Sequence, residues 1–148
     1  MTKRRQNLLL VAALAVLTAG CASRFKSDAE APTYAAKAKI TVKTNRDDNR
    51  QMALTIDHLA PPERIDPRFR AYAVWIRVPG HDTTRAGVLK YNSKKRRGKL
   101  NATTPHSNFE VIVSLENNPS ASAPSPDSIV MRKVVGDNGS TAFLRRPR

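Results

Sequence analysis

The stretch YAVWIRVP, residues Tyr72–Pro79, decides the fold class of this chain. Alternate residues of an extended chain point to opposite faces. One face receives Tyr72, Val74, Ile76 and Val78, and the other receives Ala73 and Trp75. Apolar side chains on both faces are typical of a strand that is covered from both sides. The sequence therefore predicts a central strand here, which ends at Pro79-Gly80.

Segments in which apolar and polar residues alternate lie on both sides of this stretch. A period of two residues over such short spans indicates half-buried strands. The further predicted strands are KITVKT (Lys39–Thr44), QMALTIDH (Gln51–His58), AGVLKYN (Ala86–Asn92), GKLNATT (Gly98–Thr104), FEVIVSLE (Phe109–Glu116), SIVMRKVV (Ser128–Val135) and a short edge strand at Thr141–Leu144. Pro61, Pro62 and Pro67 exclude a regular ladder through residues 60–68, so the chain is predicted to cross between sheets there.

About seven short strands at near-regular spacing, with no helical periodicity after the N-terminal segment, predict an all-β fold. We predict an immunoglobulin-like β-sandwich. Trp75 and the inward Ile, Val, Leu and Phe side chains would form its core, each contributing about 1.5–3 kcal/mol when buried. The predicted organisation is a signal peptide at residues 1–20, a lipidated tether at 21–37, the sandwich at 38–136 and a basic tail at 137–148.

The N-terminal residues have the three parts of a secretion signal. Three basic residues among the first five positions precede ten apolar residues, Leu8–Leu17, and Thr18-Ala19-Gly20-Cys21 follows. The apolar run is too short to span a bilayer, which needs about 20 residues. The four residues ending at Cys21 resemble a bacterial lipobox, with Thr18 where Leu is usual. The resemblance implies cleavage before Cys21 and acyl chains that anchor it to a membrane.

Cys21 is the only cysteine, so no internal disulfide can form. The alternative is an ordinary signal cut elsewhere, which would leave this cysteine as a free thiol. In lipoproteins of Gram-negative bacteria, Asp after the cysteine implies retention in the inner membrane. Here Ala22-Ser23 follows. The resemblance therefore implies an address at the periplasmic face of the outer membrane, if the host has one.

The chain is strongly basic, with 26 Lys and Arg residues against 12 Asp and Glu. The predicted signal holds three basic residues and no acidic one, so the remaining 23 basic and 12 acidic residues give a charge of +11. Such a charge attracts anionic partners over long range. Outside the cytoplasm these are anionic lipid, glycan or acidic envelope protein, and we expect no nucleic acid. The alternative is that the charge serves solubility alone.

The segment NSKKRRGK, Asn92–Lys99, is predicted to form the tip of a hairpin. Its basic side chains would project together into solvent and bind an anion. A cationic side chain near an anionic membrane contributes about 1 kcal/mol. The alternative is a solvated turn whose charges protect an edge strand from aggregation. The candidate anion-binding residues are Lys94, Lys95, Arg96, Arg97 and Lys99.

No catalytic or metal-binding pattern is found in the sequence. His58, His81 and His106 have no partner at metal-ligand spacing. Ser107 follows His106 directly, but adjacent residues of an extended segment point to opposite faces. We predict no cofactor and no metal, and a protein that is not an enzyme. An unrecognised hydrolase using Asp57, His58 or His106 is the alternative.

Four groups of residues resemble the extracytoplasmic domain of anti-sigma-K-type anti-sigma factors and related uncharacterised envelope lipoproteins. They are Tyr72-Ala73-Val74-Trp75-Ile76, Ala86-Gly87-Val88-Leu89, Phe109-Glu110-Val111 with Leu115-Glu116, and Pro124-Ser125-Pro126. The resemblance covers residues 70–131 and implies a β-sandwich without catalysis. Asn117-Asn118 replaces the family's Gly pair, and the predicted signal replaces the membrane-spanning helix, so sigma-factor regulation is not carried over.

Together these patterns predict a non-enzymatic, membrane-anchored envelope lipoprotein whose sandwich binds another envelope component through the basic hairpin. The alternative is an accessory subunit of an envelope assembly. It would make its contact through an apolar sheet edge or the Pro-rich loop at residues 117–126.

Overall fold

Two antiparallel sheets pack face to face around an apolar core. The structure, a computed structural model, describes residues 22–29, 33 and 35–136. The first sheet has the order β1-β2-β3-β7-β6, with β1 Ala22–Asp28, β2 Lys37–Thr44, β3 Arg50–Asp57, β7 Arg97–Thr104 and β6 Lys90–Asn92. The second has the order β5-β4-β8-β9, with β5 Thr84–Val88, β4 Ala71–Arg77, β8 Phe109–Glu116 and β9 Ile129–Val135. A short helix, α1 Pro62–Ile65, and a 3-10 turn, Pro126–Ser128, lie between strands.

The strand order confirms the predicted all-β sandwich and its immunoglobulin-like arrangement. In immunoglobulin constant domains, strands A-B-E-D form one sheet and C-F-G form the other. Strands β2-β3-β7-β6 have the first order and β4-β8-β9 have the second. β1 and β5 each add an edge strand. The described residues therefore form nine strands, where the sequence pattern indicated about seven.

The prediction of one strand at AGVLKYN (Ala86–Asn92) is wrong. The segment divides at Leu89 between β5 in the second sheet and β6 in the first. Leu89 is buried, and its N–H donates to the carbonyl oxygen of Tyr72 at 2.9 Å. The alternation continues through the crossing, so the side-chain period gives no sign that the chain changes sheets.

The predicted tether at residues 21–37 is also corrected, because it contains β1. All seven residues of β1 pair with β2, from Ala22 opposite Lys43 to Asp28 opposite Lys37. Phe25 packs against the core and is the one large apolar side chain of this strand. A single apolar residue leaves no readable period, which is why composition indicated a linker. The signal, Cys21, the edge strand at 141–144 and the tail at 137–148 lie outside the described residues.

The predicted crossing between sheets at residues 60–68 is confirmed. It connects β3 of the first sheet to β4 of the second through α1. Two tyrosines fasten its start: the Tyr72 hydroxyl donates to the Ala60 carbonyl at 2.8 Å, and the Tyr91 hydroxyl donates to the Leu59 carbonyl at 2.9 Å. The crossing is therefore tied to both sheets.

Trp75 lies on a different side of its sheet from the main core. The interior between the sheets contains Tyr72, Val74 and Ile76 from β4, as their alternation predicts. Trp75 is fully buried on the opposite face with Ala73 and Ile112. The loop after β8 folds back over this face and covers the indole with Ala121. The two central strands of the second sheet, β4 and β8, are thus covered on both sides, which explains why every residue of β8 is buried.

Candidate functional site

β6 and β7 form the predicted basic hairpin, joined by a turn at residues 93–96. The turn is closed by Arg96 N–H donating to Ser93 O at 3.2 Å and by Lys95 N–H donating to Asn92 Oδ1 at 2.9 Å. Arg96 adopts a φ of +47°, a conformation that non-glycine residues adopt mainly in tight turns. The backbone of the tip is therefore held in one shape.

The structure does not bring the five candidate residues to one place. Lys94, Lys95 and Arg96 are exposed at the tip. Arg97 is directed across the sheet, where its Nε forms an ion pair with the Asp57 carboxylate. Lys99 lies on the outer face of the first sheet, opposite Thr55. We call Lys94, Lys95 and Arg96 the hairpin tip.

The hairpin tip is docked against the chain that follows β3. Leu59 N–H donates to Arg96 O at 2.9 Å, and Arg96 Nη2 lies 3.5 Å from His58 O. Burial raises the pKa of the nearby Tyr91 phenol, and the positive charge of Arg96 opposes that rise. Within the described ranges, Lys94 and Lys95 form no ion pair. Both ammonium groups are therefore free to meet an anion.

The hairpin tip and the start of β1 lie at opposite ends of the first sheet. The strand register places Ala22 beside Lys43, and Gln51 and Thr103 follow along the same row. The tip follows the other end, where Asp57 pairs with Arg97. Along β2, Lys43 in the first row and Lys37 in the second are six residue steps apart, so the two rows are separated by about 20 Å at 3.2–3.4 Å per residue.

Two histidines approach each other although 25 positions separate them in the sequence. The ring centroids of His81 and His106 are 5.2 Å apart, with the planes tilted by 49°. His58, in contrast, is exposed directly after β3. Among the described residues, no group of three or more His, Cys, Asp or Glu side chains could hold a metal ion. Asp57, one of the three residues of the hydrolase alternative, forms an ion pair with Arg97.

Buried polar residues that the sequence did not reveal hold the loop over Trp75. The indole Nε1 donates to Ser114 Oγ at 2.8 Å, and Ser114 Oγ donates to Glu116 Oε1 at 2.5 Å. Glu116 also accepts hydrogen bonds from the backbone N–H and the hydroxyl of Ser125, at 3.0 and 2.8 Å. The sequence shows that Ser114 and Glu116 are two positions apart, but it does not show that both side chains are buried. The Pro-rich loop at 117–126 therefore serves as an internal cover.

The second sheet carries a further buried carboxylate at Glu110. Arg77 Nε lies 2.7 Å from Glu110 Oε2, and Arg132 Nη1 lies 4.0 Å from the same oxygen. Neither Arg77 Nε nor Glu110 Oε2 has a hydrogen-bond partner. Their contact is therefore an ion pair without hydrogen-bond geometry. Two cationic side chains therefore lie within 4.0 Å of one buried carboxylate oxygen.

Comparison with protein-family models, with curated proteins and with solved structures finds no match for this chain. The resemblance to anti-sigma-factor domains thus stays a prediction. Within the part of the chain that the structure describes, no helix is long and apolar enough to cross a membrane.

Proposed function

We propose that this chain is a membrane-anchored envelope lipoprotein that binds an anionic envelope component through its hairpin tip and catalyses no reaction. The observation that carries the binding role is the pair Lys94 and Lys95, exposed on a backbone held by hydrogen bonds and unpaired in the described part. The charge of +11 that the 23 basic and 12 acidic residues outside the predicted signal give supports an anionic partner. The lipobox-like residues ending at Cys21 support the anchor.

The position of β1 refines this proposal. Cys21 precedes Ala22 by one peptide bond, and Ala22 is the first residue of β1. A lipid on Cys21 would therefore hold this end of the sandwich at the membrane with no intervening tether. The hairpin tip lies beyond the other end of the first sheet, which is about 20 Å away along the strands. This geometry favours a partner that approaches from outside the anchoring membrane over the head groups of that membrane.

The anchor is tested by fractionating cells that express the native chain or Cys21→Ser. We expect the native chain in the membrane fraction, with a mass that includes acyl chains on the residue-21 fragment. Cys21→Ser should lose that mass and leave the membrane fraction. An unmodified Cys21 in the mature native protein would contradict the proposed anchor, whatever the hairpin binds.

The binding role is tested by crosslinking in intact envelopes. The test variant is Lys94→Gln with Lys95→Gln, and the matched control is Arg46→Gln with Arg85→Gln, which removes the same charge from exposed positions elsewhere. We expect the native protein and the control to capture the same partner, which salt releases, and the tip variant to lose it. Equal capture by the tip variant would contradict the role. Capture that salt does not weaken would favour the accessory-subunit alternative through an apolar sheet edge.

A further inference from the structure

The outer face of the first sheet carries a row of lysines that crosses all five strands. Lys26 of β1 lies opposite Lys39 of β2, which lies opposite Thr55 of β3. Thr55 lies opposite Lys99 of β7, which lies opposite Lys90 of β6. Four of the five positions in this row are therefore lysine, and all four side chains are exposed. We call Lys26, Lys39, Lys90 and Lys99 the lysine row.

The side chains of the lysine row point to one side. In each strand the neighbouring residues face the core: Phe25, Ile40, Leu100 and Tyr91 all pack against it. Neighbouring strands are about 4.8 Å apart, so the row extends about 19 Å across the sheet. Three of these four lysines lie outside the basic segment Asn92–Lys99. They are distant in sequence, and the strand register aligns them.

The lysine row works against the stability of the sheet. Like charges directly opposite each other on adjacent strands are destabilising. Lys26 faces Lys39, and Lys90 faces Lys99, with no ion pair for any of the four among the described residues. A sheet face selected only for solubility would mix the two signs.

The adjacent row of the same face shows the arrangement that stability favours. Asp28 lies opposite Lys37, Lys37 opposite Asp57, and Asp57 opposite Arg97, so the charges alternate in sign across four strands. Arg97 and Asp57 form an ion pair there. The charges therefore alternate in sign in one row and repeat the positive sign in the next. An external anion bound at the lysine row would relieve the repulsion between its like charges.

A shallow depression of about 440 Å³ lies on the same face, on the side of the lysine row toward Ala22. The depression is lined by Met52, Ala53 and Ala102 and by amide, hydroxyl and ammonium groups. These groups belong to Thr41, Lys43, Gln51, Asn101 and Thr103. Gln51 and Asn101 each offer a donor and an acceptor, which is the chemistry that binds sugar hydroxyls.

We propose that this face binds an anionic glycan, a chain of sugars bearing carboxylate or phosphate groups. Its anionic groups meet the lysine row, and its hydroxyls meet Gln51 and Asn101 in the depression. The outward positions of the first sheet include no aromatic side chain among the described residues. Single-stranded nucleic acid and protein partners usually need aromatic anchors, and lysine is depleted in protein interfaces. This site is distinct from the hairpin tip and does not depend on a lipid at Cys21.

The test measures binding of a uronic-acid oligosaccharide to the full chain in non-ionic detergent by calorimetry at low salt. The row variant is Lys39→Gln with Lys99→Gln, the matched control is Arg46→Gln with Arg85→Gln at exposed positions elsewhere, and a third variant, Lys94→Gln with Lys95→Gln, tests the hairpin tip. We expect the row variant to lose about tenfold in affinity or more, and the control to change by less than about threefold. Equal losses in the row variant and the Arg46 and Arg85 control would mean attraction by overall charge and would overturn the proposal. A loss confined to the Lys94 and Lys95 variant would overturn it too, while supporting the hairpin tip as the anion site.

The identity of the ligand is tested in the same background with Gln51→Ala and Asn101→Ala. Both variants should bind the uronic-acid oligosaccharide more weakly. Their affinity for linear polyphosphate of equal charge should be unchanged, because polyphosphate has no sugar hydroxyls to contact Gln51 and Asn101. A neutral oligosaccharide should not bind. If polyphosphate or phosphatidylglycerol vesicles bind more tightly than the glycan, the proposal of a glycan ligand is overturned. The lysine row would then be assigned to those anions.

Discussion

The indole Nε1 of Trp75 donates a hydrogen bond to Ser114 Oγ at 2.8 Å, in a site from which solvent is excluded. Trp75 is in β4 and Ser114 is in the neighbouring β8, on the face of the second sheet that turns away from the core. Ser114 in turn donates to Glu116, which holds Ser125 of the covering loop. One chain of hydrogen bonds therefore connects the indole to its cover.

Ser114→Ala should destabilise the protein by about 1–3 kcal/mol, because it leaves the buried indole N–H without an acceptor. The variant also removes one of three donors to the Glu116 carboxylate. Urea unfolding followed by the fluorescence of the single tryptophan measures the change. The control is Ser122→Ala in the same loop, where the side chain is exposed and the expected change is within about 0.5 kcal/mol. Equal stability of the two variants would show that the network does not hold the cover.

Gly98→Ala should destabilise the protein by about 1–3 kcal/mol through overpacking. A Cβ at position 98 would lie 2.9 Å from Leu89 Cδ1 and 3.3 Å from Leu59 Cδ2. Leu89 is the buried residue at which the chain crosses between sheets, so it has little freedom to move. In urea unfolding, Leu89→Val should relieve part of the clash, and the double variant should lose less stability than the two single losses added together. Full additivity would contradict the contact.

Stability should fall at alkaline pH because of Tyr72. Burial raises the pKa of its phenol above the ordinary value of 10.0, with the charges of Tyr91 and Glu63 adding to the rise. Below that value the phenol is protonated in both the folded and the unfolded chain. Above it the unfolded chain releases the proton and the folded chain keeps it, so the free energy of unfolding decreases as pH rises.

Tyr72→Phe isolates this effect. At neutral pH it should cost about 1 kcal/mol, because the hydrogen bond to the Ala60 carbonyl is lost. Above pH 10 its unfolding free energy should fall less steeply than that of the native protein, because the variant lacks this buried phenol. Urea titrations in steps from neutral pH to about pH 11 measure the two slopes. Parallel slopes would show that the Tyr72 phenol ionises normally.

The fold follows from local pattern more fully than the candidate sites do. The alternation around Trp75 and through Phe109–Glu116 predicts strands that the structure confirms, because side-chain period is a local property. The division at Leu89 and the strand at Ala22–Asp28 depend on distant partners. The same limit applies to function: Lys94 and Lys95 are adjacent in sequence, whereas the lysine row exists only through strand register.

The like charges of the lysine row should lower the free energy of unfolding, independently of what the row binds. Lys39→Glu replaces a like-charge pair with Lys26 by an opposite-charge pair and should raise the unfolding free energy by about 0.2–1 kcal/mol at low salt. Lys37→Glu, two residues away on the same strand, makes the same change in net charge. Because Lys37 lies between Asp28 and Asp57, this variant should lower stability instead.

Thermal or urea unfolding of both variants at low and high salt decides the matter. The two shifts should have opposite signs at low salt and shrink as salt screens them. Shifts of the same sign would mean that overall charge, and not the strand register, sets the electrostatic energy of this face. A Lys39→Glu protein that is more stable yet no longer binds the glycan would show that the row is retained at the expense of stability because it binds an anion.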